Sequence, residues 1–93
     1  MKLDRLIDAV NSVSNEEDVS SLARQFGLQR EESPNKFDQV LGLYKGVVEG
    51  RPVTIIHRWY DRCKTFQIQP DGNKVELEVD GRQVAVGSFL DDF

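Results

Sequence analysis

The sequence predicts an α+β fold: two N-terminal helices packed on a four- to five-stranded antiparallel β-meander. Three observations carry this expectation. Between residues 40 and 89, three turn signals, Glu49-Gly50, Pro70-Asp71-Gly72 and Asp80-Gly81, separate short runs of alternating apolar and polar residues. Before residue 28, the apolar residues recur at helical spacing instead. The chain has 93 residues, enough for a single domain spanning 1–93 with one modest core.

The elements follow in order. Leu3, Leu6, Ile7, Val10 and Val13 keep the i, i+3, i+4, i+7 spacing of an amphipathic helix, with Asp4 and Asp8 on its other side. Asn11 to Ser14 favour local side-chain hydrogen bonds and should end it. Ser14 followed by Glu17 has capping-box form, and Glu16, Glu17 and Asp18 suit the positive end of a second helix dipole. Val19, Leu22, Ala23 and Phe26 form the second stripe, and Gly27 is placed to terminate it. Both stripes are expected to be core. The polar stretch Gln29 to Lys36, which contains Pro34, is expected to be a surface loop within 29–37.

The sheet should occupy 38–93, with strands at Val40–Val48, Pro52–Trp59, Lys64–Gln69, Lys74–Val79 and Arg82–Phe89 and a turn near Asp61. Asp80-Gly81 is the signal for a two-residue type I′ hairpin. Alternation assigns faces. Phe66 and Ile68 share one face; Val75, Leu77 and Val79 point inward, as do Val84 and Val86. Glu76 and Glu78 point outward as solvated charge. One face is then wet and the other lies under the helices. A small five-stranded barrel is the alternative closure.

Composition narrows the function classes. The net charge of −4 opposes broad nucleic-acid or membrane-surface binding, which needs a positive field, and suits a partner with a basic surface. Cys63 is alone, so no intramolecular disulfide and no cysteine-rich metal site can form. Lys2, Asp4, Arg5 and Asp8 interrupt the N-terminus, and no run of about 18 apolar residues occurs. The expected location is cytoplasmic. No phosphate-loop, dinucleotide, zincin or nucleophile-elbow pattern is present, so no cofactor and no metal are expected.

The densest chemistry is His57-Arg58-Trp59-Tyr60-Asp61-Arg62-Cys63-Lys64, which holds the only Trp, His and Cys. Trp59 falls in phase with Val53 and Ile55 as a core residue, which leaves Arg58 and Tyr60 on the wet face, joined by Tyr44 and Arg62 as a partner-binding set. Trp, Tyr and Arg dominate binding hot spots because they combine contact area with a polar handle, and the aromatics also suit stacking on unpaired bases. A catalytic pair of His57 and Cys63 is disfavoured: on one extended strand they would lie about 20 Å apart, beyond the hydrogen-bond reach that nucleophile and base need. Cys63 is expected to be a passive apolar residue and His57 a satisfied structural or edge residue rather than a ligand.

Two short resemblances remain. Leu22-Ala23-Arg24-Gln25-Phe26-Gly27-Leu28 resembles the first helix and turn of a helix-turn-helix, in which a small residue permits close crossing and glycine makes the turn. That resemblance implies a recognition helix over Gln29 to Gln39, where this chain instead has Ser33 and Pro34. Phe89-Leu90-Asp91-Asp92-Phe93 resembles the acidic tail tips of bacterial single-strand-binding proteins, which implies docking into a basic pocket; folding of Leu90 and Phe93 onto the core edge is the competing expectation.

The functional expectation is a small protein-interaction module, a regulator, inhibitor or complex subunit without catalysis. The alternative is a nucleic-acid binder using the helix-turn-helix-like element or the basic-aromatic strand. An exposed edge strand also allows homodimerisation.

Overall fold

A computed structural model describes residues 2–32, 40–60 and 72–90. Two helices, α1 (Lys2–Asn11) and α2 (Glu16–Gln25), precede five strands: β1 (Gln29–Glu31), β2 (Val40–Val48), β3 (Arg51–Tyr60), β4 (Gly72–Val79) and β5 (Arg82–Leu90). The strands form one open antiparallel sheet in the order β1-β2-β3-β4-β5. The α+β architecture with two helices on an antiparallel meander is therefore present, and the described strands make an open sheet rather than a barrel.

Each helix has a local cause. Leu3, Leu6 and Val10 are the buried residues of α1. Asn15, not Ser14, is the N-cap of α2: its Oδ1 accepts from the Asp18 backbone N–H at 2.8 Å. Asp18 reciprocates by accepting from the backbone N–H and the hydroxyl of Ser14, at 3.0 and 2.9 Å. The capping pair is thus Asn15/Asp18, one residue beyond the expected Ser14/Glu17. Asn15 and Asp18 keep the i, i+3 spacing of a capping pair, so the same local chemistry is satisfied one residue later. The Ser14 backbone bond, aided by the Ser14 hydroxyl and the Asn15 N–H, holds the Asp18 carboxyl below its ordinary pKa. At the other end Leu28 N–H donates to Ala23 O at 2.8 Å and Gly27 N–H to Arg24 O at 3.2 Å, with Gly27 at φ +73°. This is a Schellman stop, as Gly27 predicts.

Two hairpins are tight. Val48 pairs with Arg51 and Val79 with Arg82, which leaves Glu49-Gly50 and Asp80-Gly81 as two-residue loops with φ positive at both positions. That is type I′ geometry, matched to strand twist. The Glu49 side chain also accepts from the backbone N–H of Leu3 at 3.0 Å, which ties this hairpin to the start of α1.

Three expectations are corrected. The loop after Leu28 begins as strand β1, whose Gln29, Arg30 and Glu31 pair with Lys45, Tyr44 and Leu43; this also places a strand where the helix-turn-helix resemblance requires its second helix. Next, β4 pairs directly with β3, from Val53↔Val79 to Tyr60↔Gly72. The strand expected over residues 64–69 therefore does not stand between them; those residues, with Ser33 to Gln39, Pro70, Asp71 and the tip 91–93, lie outside the described residues.

The last strand has the opposite phase to the one expected. Ala85 and Gly87 are buried, while Val84 is 44% and Val86 37% exposed. The cause is α1, which packs chiefly on β5. A Cβ at position 87 would collide with the Val10 carbonyl oxygen and come within 2.8 Å of Val13 Cγ2. Burying a valine gains about 1.5–3 kcal/mol. Turning Val84 and Val86 inward would recover only part of that for two residues, but would hold off the stripe of Leu3, Leu6, Val10 and Val13. The larger burial wins. A β-bulge at Val84, between Leu77↔Ala85 and Glu78↔Gln83, accommodates the phase.

Candidate functional site

Cross-strand register defines the two faces, since residues directly opposite one another share a side. The helix-covered face stacks Tyr44, Ile55, Leu77 and Ala85, then Gly42, His57, Val75 and Gly87, then Trp59, Asn73 and Phe89. The outer face stacks Lys45, Thr54, Glu78 and Gln83, then Leu43, Ile56, Glu76 and Val86, then Val40, Arg58, Lys74 and Ser88.

This separates the residues expected to bind a partner. Arg58 lies on the outer face. Tyr60 occupies the same-phase position two residues on, opposite Gly72. Tyr44 does not join them: it faces the helices, is 8% exposed and belongs to the core cluster. The β2 register puts Tyr44 opposite Ile55, and its ring lies along Gly42, where its nearest atom would stand 2.9 Å from an added Cβ. The absence of a side chain at Gly42 makes room for a buried ring. Arg62, like Asp61, Cys63 and Lys64, lies outside the described residues. Trp59 is on the core side as its phase predicts, partly buried.

The outer face carries an ionic cluster. Arg58 Nε lies 3.3 Å from Glu76 Oε2, and Lys74 Nζ lies 3.3 Å from Glu76 Oε1. Each oxygen of one carboxylate thus meets a different cation. Glu76 is not the solvated charge expected from strand alternation: its side chain is only 14% exposed, against 29% for Arg58. The reason is its central position, between Ile56 on β3 and Val86 on β5, with long basic side chains folded over it. Apolar contact area flanks the cluster. Ile56 is partly exposed, and Val86 and the two bulge residues Val84 and Leu41 are exposed.

His57 is structural. Its Nε2 lies 2.8 Å from Asn73 Oδ1 in a buried position, and a carbonyl oxygen can only accept, so Nε2 carries the proton. The ring also lies against Phe89, with centroids 5.6 Å apart. Both observations match the expectation of a satisfied structural histidine, and a ring held this way does not present Nε2 to a reactant. Among the described residues, no group of three or more His, Cys, Asp or Glu is placed to hold a metal ion. No described helix is long and apolar enough to cross a membrane.

A cleft elsewhere on the molecule was not anticipated. Lys2, Arg5, Phe26, Val47 and Glu49 line a cleft of about 440 Å³ between the start of α1, the end of α2 and the first hairpin. No local pattern marks it, because three separate elements contribute its walls.

Comparison with known proteins finds no matching family model, no matching curated protein and no matching solved structure.

Proposed function

We propose that this chain is a small protein-interaction module without catalysis of its own, which binds another protein through the outer face of its sheet. The observation that supports this reading is the Arg58–Glu76–Lys74 cluster, a polar spot flanked by Ile56, Val86 and Val84. An apolar patch beside oriented cations is the composition of a binding hot spot. Tyr60 extends the same face by its position in β3, and Arg62 belongs to the proposed set by sequence. Tyr44 is withdrawn from it. The pairing of both Glu76 oxygens orients the two cations in advance, which lowers the entropy lost when a partner docks. A partner presenting an apolar side chain among polar groups fits this spot, and the acidic chain as a whole suits a partner with a basic surface.

The test is capture with the tagged chain, with and without nuclease, followed by comparison with the double variant Arg58→Ala, Tyr60→Ala. A stoichiometric protein that survives nuclease and is lost by the double variant, at unchanged melting temperature, supports the reading. Retention of that protein by the double variant removes the surface; loss of partners with nuclease alone moves the reading to nucleic acid.

A further inference from the structure

We propose that the outer edge of β5 is a self-association surface, along which two copies of this chain pair antiparallel and join their sheets. This goes beyond the binding of a different protein on the sheet face and does not depend on it.

The two edges of the sheet are unlike. β1 is three residues long, and two of the three, Arg30 and Glu31, are charged. Shortness and charge are the usual ways a protein blunts an edge. β5 is nine residues long and its single charge, Arg82, is its first residue. It contains no proline and no lysine. Its bulge, at Val84, sits near its beginning, and from Ala85 to Leu90 the pairing with β4 is regular. No described strand lies on its far side. A row of backbone N–H and C=O groups along that side is therefore a template for one more extended chain.

The side chains say which chain fits. Val84 and Val86, exposed on the outer face, adjoin this edge, so pairing there would cover apolar area as well as satisfy backbone groups. Two β5 strands must also match core side with core side, so only residues of like phase can stand opposite. A two-fold axis through Val86 sets Val86 against its counterpart and Ala85 against the second copy's Gly87, with Ser88 beside the second copy's Val84; the matched seam runs from Val84 to Ser88 and ends at the bulge, beyond which Gln83 and Phe89 differ in phase. The seam residues are all small or β-branched, and no charges oppose. The lone Arg82 falls beyond each end of the seam, far from its own copy. An isologous interface requires this kind of self-complementarity.

The helices permit the arrangement. Adjacent strands are about 4.8 Å apart, whereas packed helices need about 8–10 Å between axes. α1 rests on β4 as well as β5, which seats it inboard of the edge. Its stripe is bordered by Ile7 and Ala9, both partly buried and packed against the core, so whichever flank approaches the second α1 is apolar.

The test is sedimentation equilibrium from about 1 μM to about 1 mM, the range of modest associations, in reductant so that Cys63 cannot link copies. The expected result is reversible conversion from 10.6 kDa to twice that mass. Val86→Lys places two ammonium groups opposite each other at the axis and should weaken the dimer roughly tenfold or more, with the monomer fold unchanged by circular dichroism. Ser88→Lys, at an exposed position on the same face, should also weaken it and decides the matter if Val86→Lys does not fold. Gln29→Lys, on β1, should leave the dimer intact. A monomer across the whole range overturns the proposal, as does a dimer that the folded β5 variants leave unchanged or that Gln29→Lys abolishes. A monomeric result leaves the proposed partner surface on the sheet face to its own test.

Discussion

Gly87 on β5 lies directly beneath the carbonyl oxygen of Val10, the last buried residue of α1, with no space for a methyl group between them. The helix-to-sheet distance is set at this contact, and the inward phase of β5 from Ala85 onward follows from it.

Gly87→Ala should therefore destabilise the fold by about 1–3 kcal/mol, the usual cost of forcing an extra carbon into a packed core. Urea unfolding measures it as a lower midpoint at unchanged slope. Ser88→Ala, exposed on the other face, serves as the neighbouring control and should shift the midpoint little. An unchanged midpoint for Gly87→Ala would show that α1 does not rest on this strand.

The pair of His57 and Asn73 is buried on the helix-covered side, where an unpaired polar atom is costly. Asn73→Ala should cost about 1–3 kcal/mol, because it strands the His57 Nε2 proton in the interior. In a His57→Leu background the same substitution should cost less, since the stranded donor is gone. A double-mutant cycle reads the difference. Equal costs in the two backgrounds would mean that the hydrogen bond contributes nothing.

Asp18 gives a pH dependence with a definite sign. Its folded pKa lies below its unfolded value because the Ser14 N–H and hydroxyl favour the carboxylate. The stabilisation it supplies is then fully present above the ordinary aspartate value of about 3.9 and declines as pH falls through the lower folded value. Asp18→Asn, which cannot hold the charge, should melt below wild type at neutral pH, and the gap should close in the acid range. A gap that stays constant down to the acid limit would sink this assignment.

Much of the local architecture was legible because its causes are local. Gly27 after an apolar stripe predicts a Schellman stop, and Asp80-Gly81 predicts a type I′ turn; both depend on backbone preferences of one or two residues. Strand β2 has the expected bounds of Val40–Val48. The N-cap was displaced by one residue because Ser14, Asn15, Glu17 and Asp18 all bear capping chemistry, and i, i+3 spacing fits both pairs equally. β1 was illegible because three exposed polar residues carry no alternation.

The candidate surface was partly legible. Strand phase alone places Arg58 on the outer face and Trp59 on the inner. Tyr44 was misplaced because its face depends on the β2–β3 register, with the bulge at Leu41, and on room left by Gly42. The clamping of Glu76 by Arg58 involves residues 18 positions apart, and no local pattern announces it.

The sequence by itself determined the class of the fold, the helical stripes, the tight turns and the interior side of β4, since periodicity and backbone preference act over a few residues. Only the tertiary structure decided which side of β5 faces inward and which residues surround Arg58. Those depend on how closely a helix can approach a sheet and on which strands lie side by side. In β5 the valines carry the stronger hydrophobic signal, but the glycine and alanine leave the space that α1 requires.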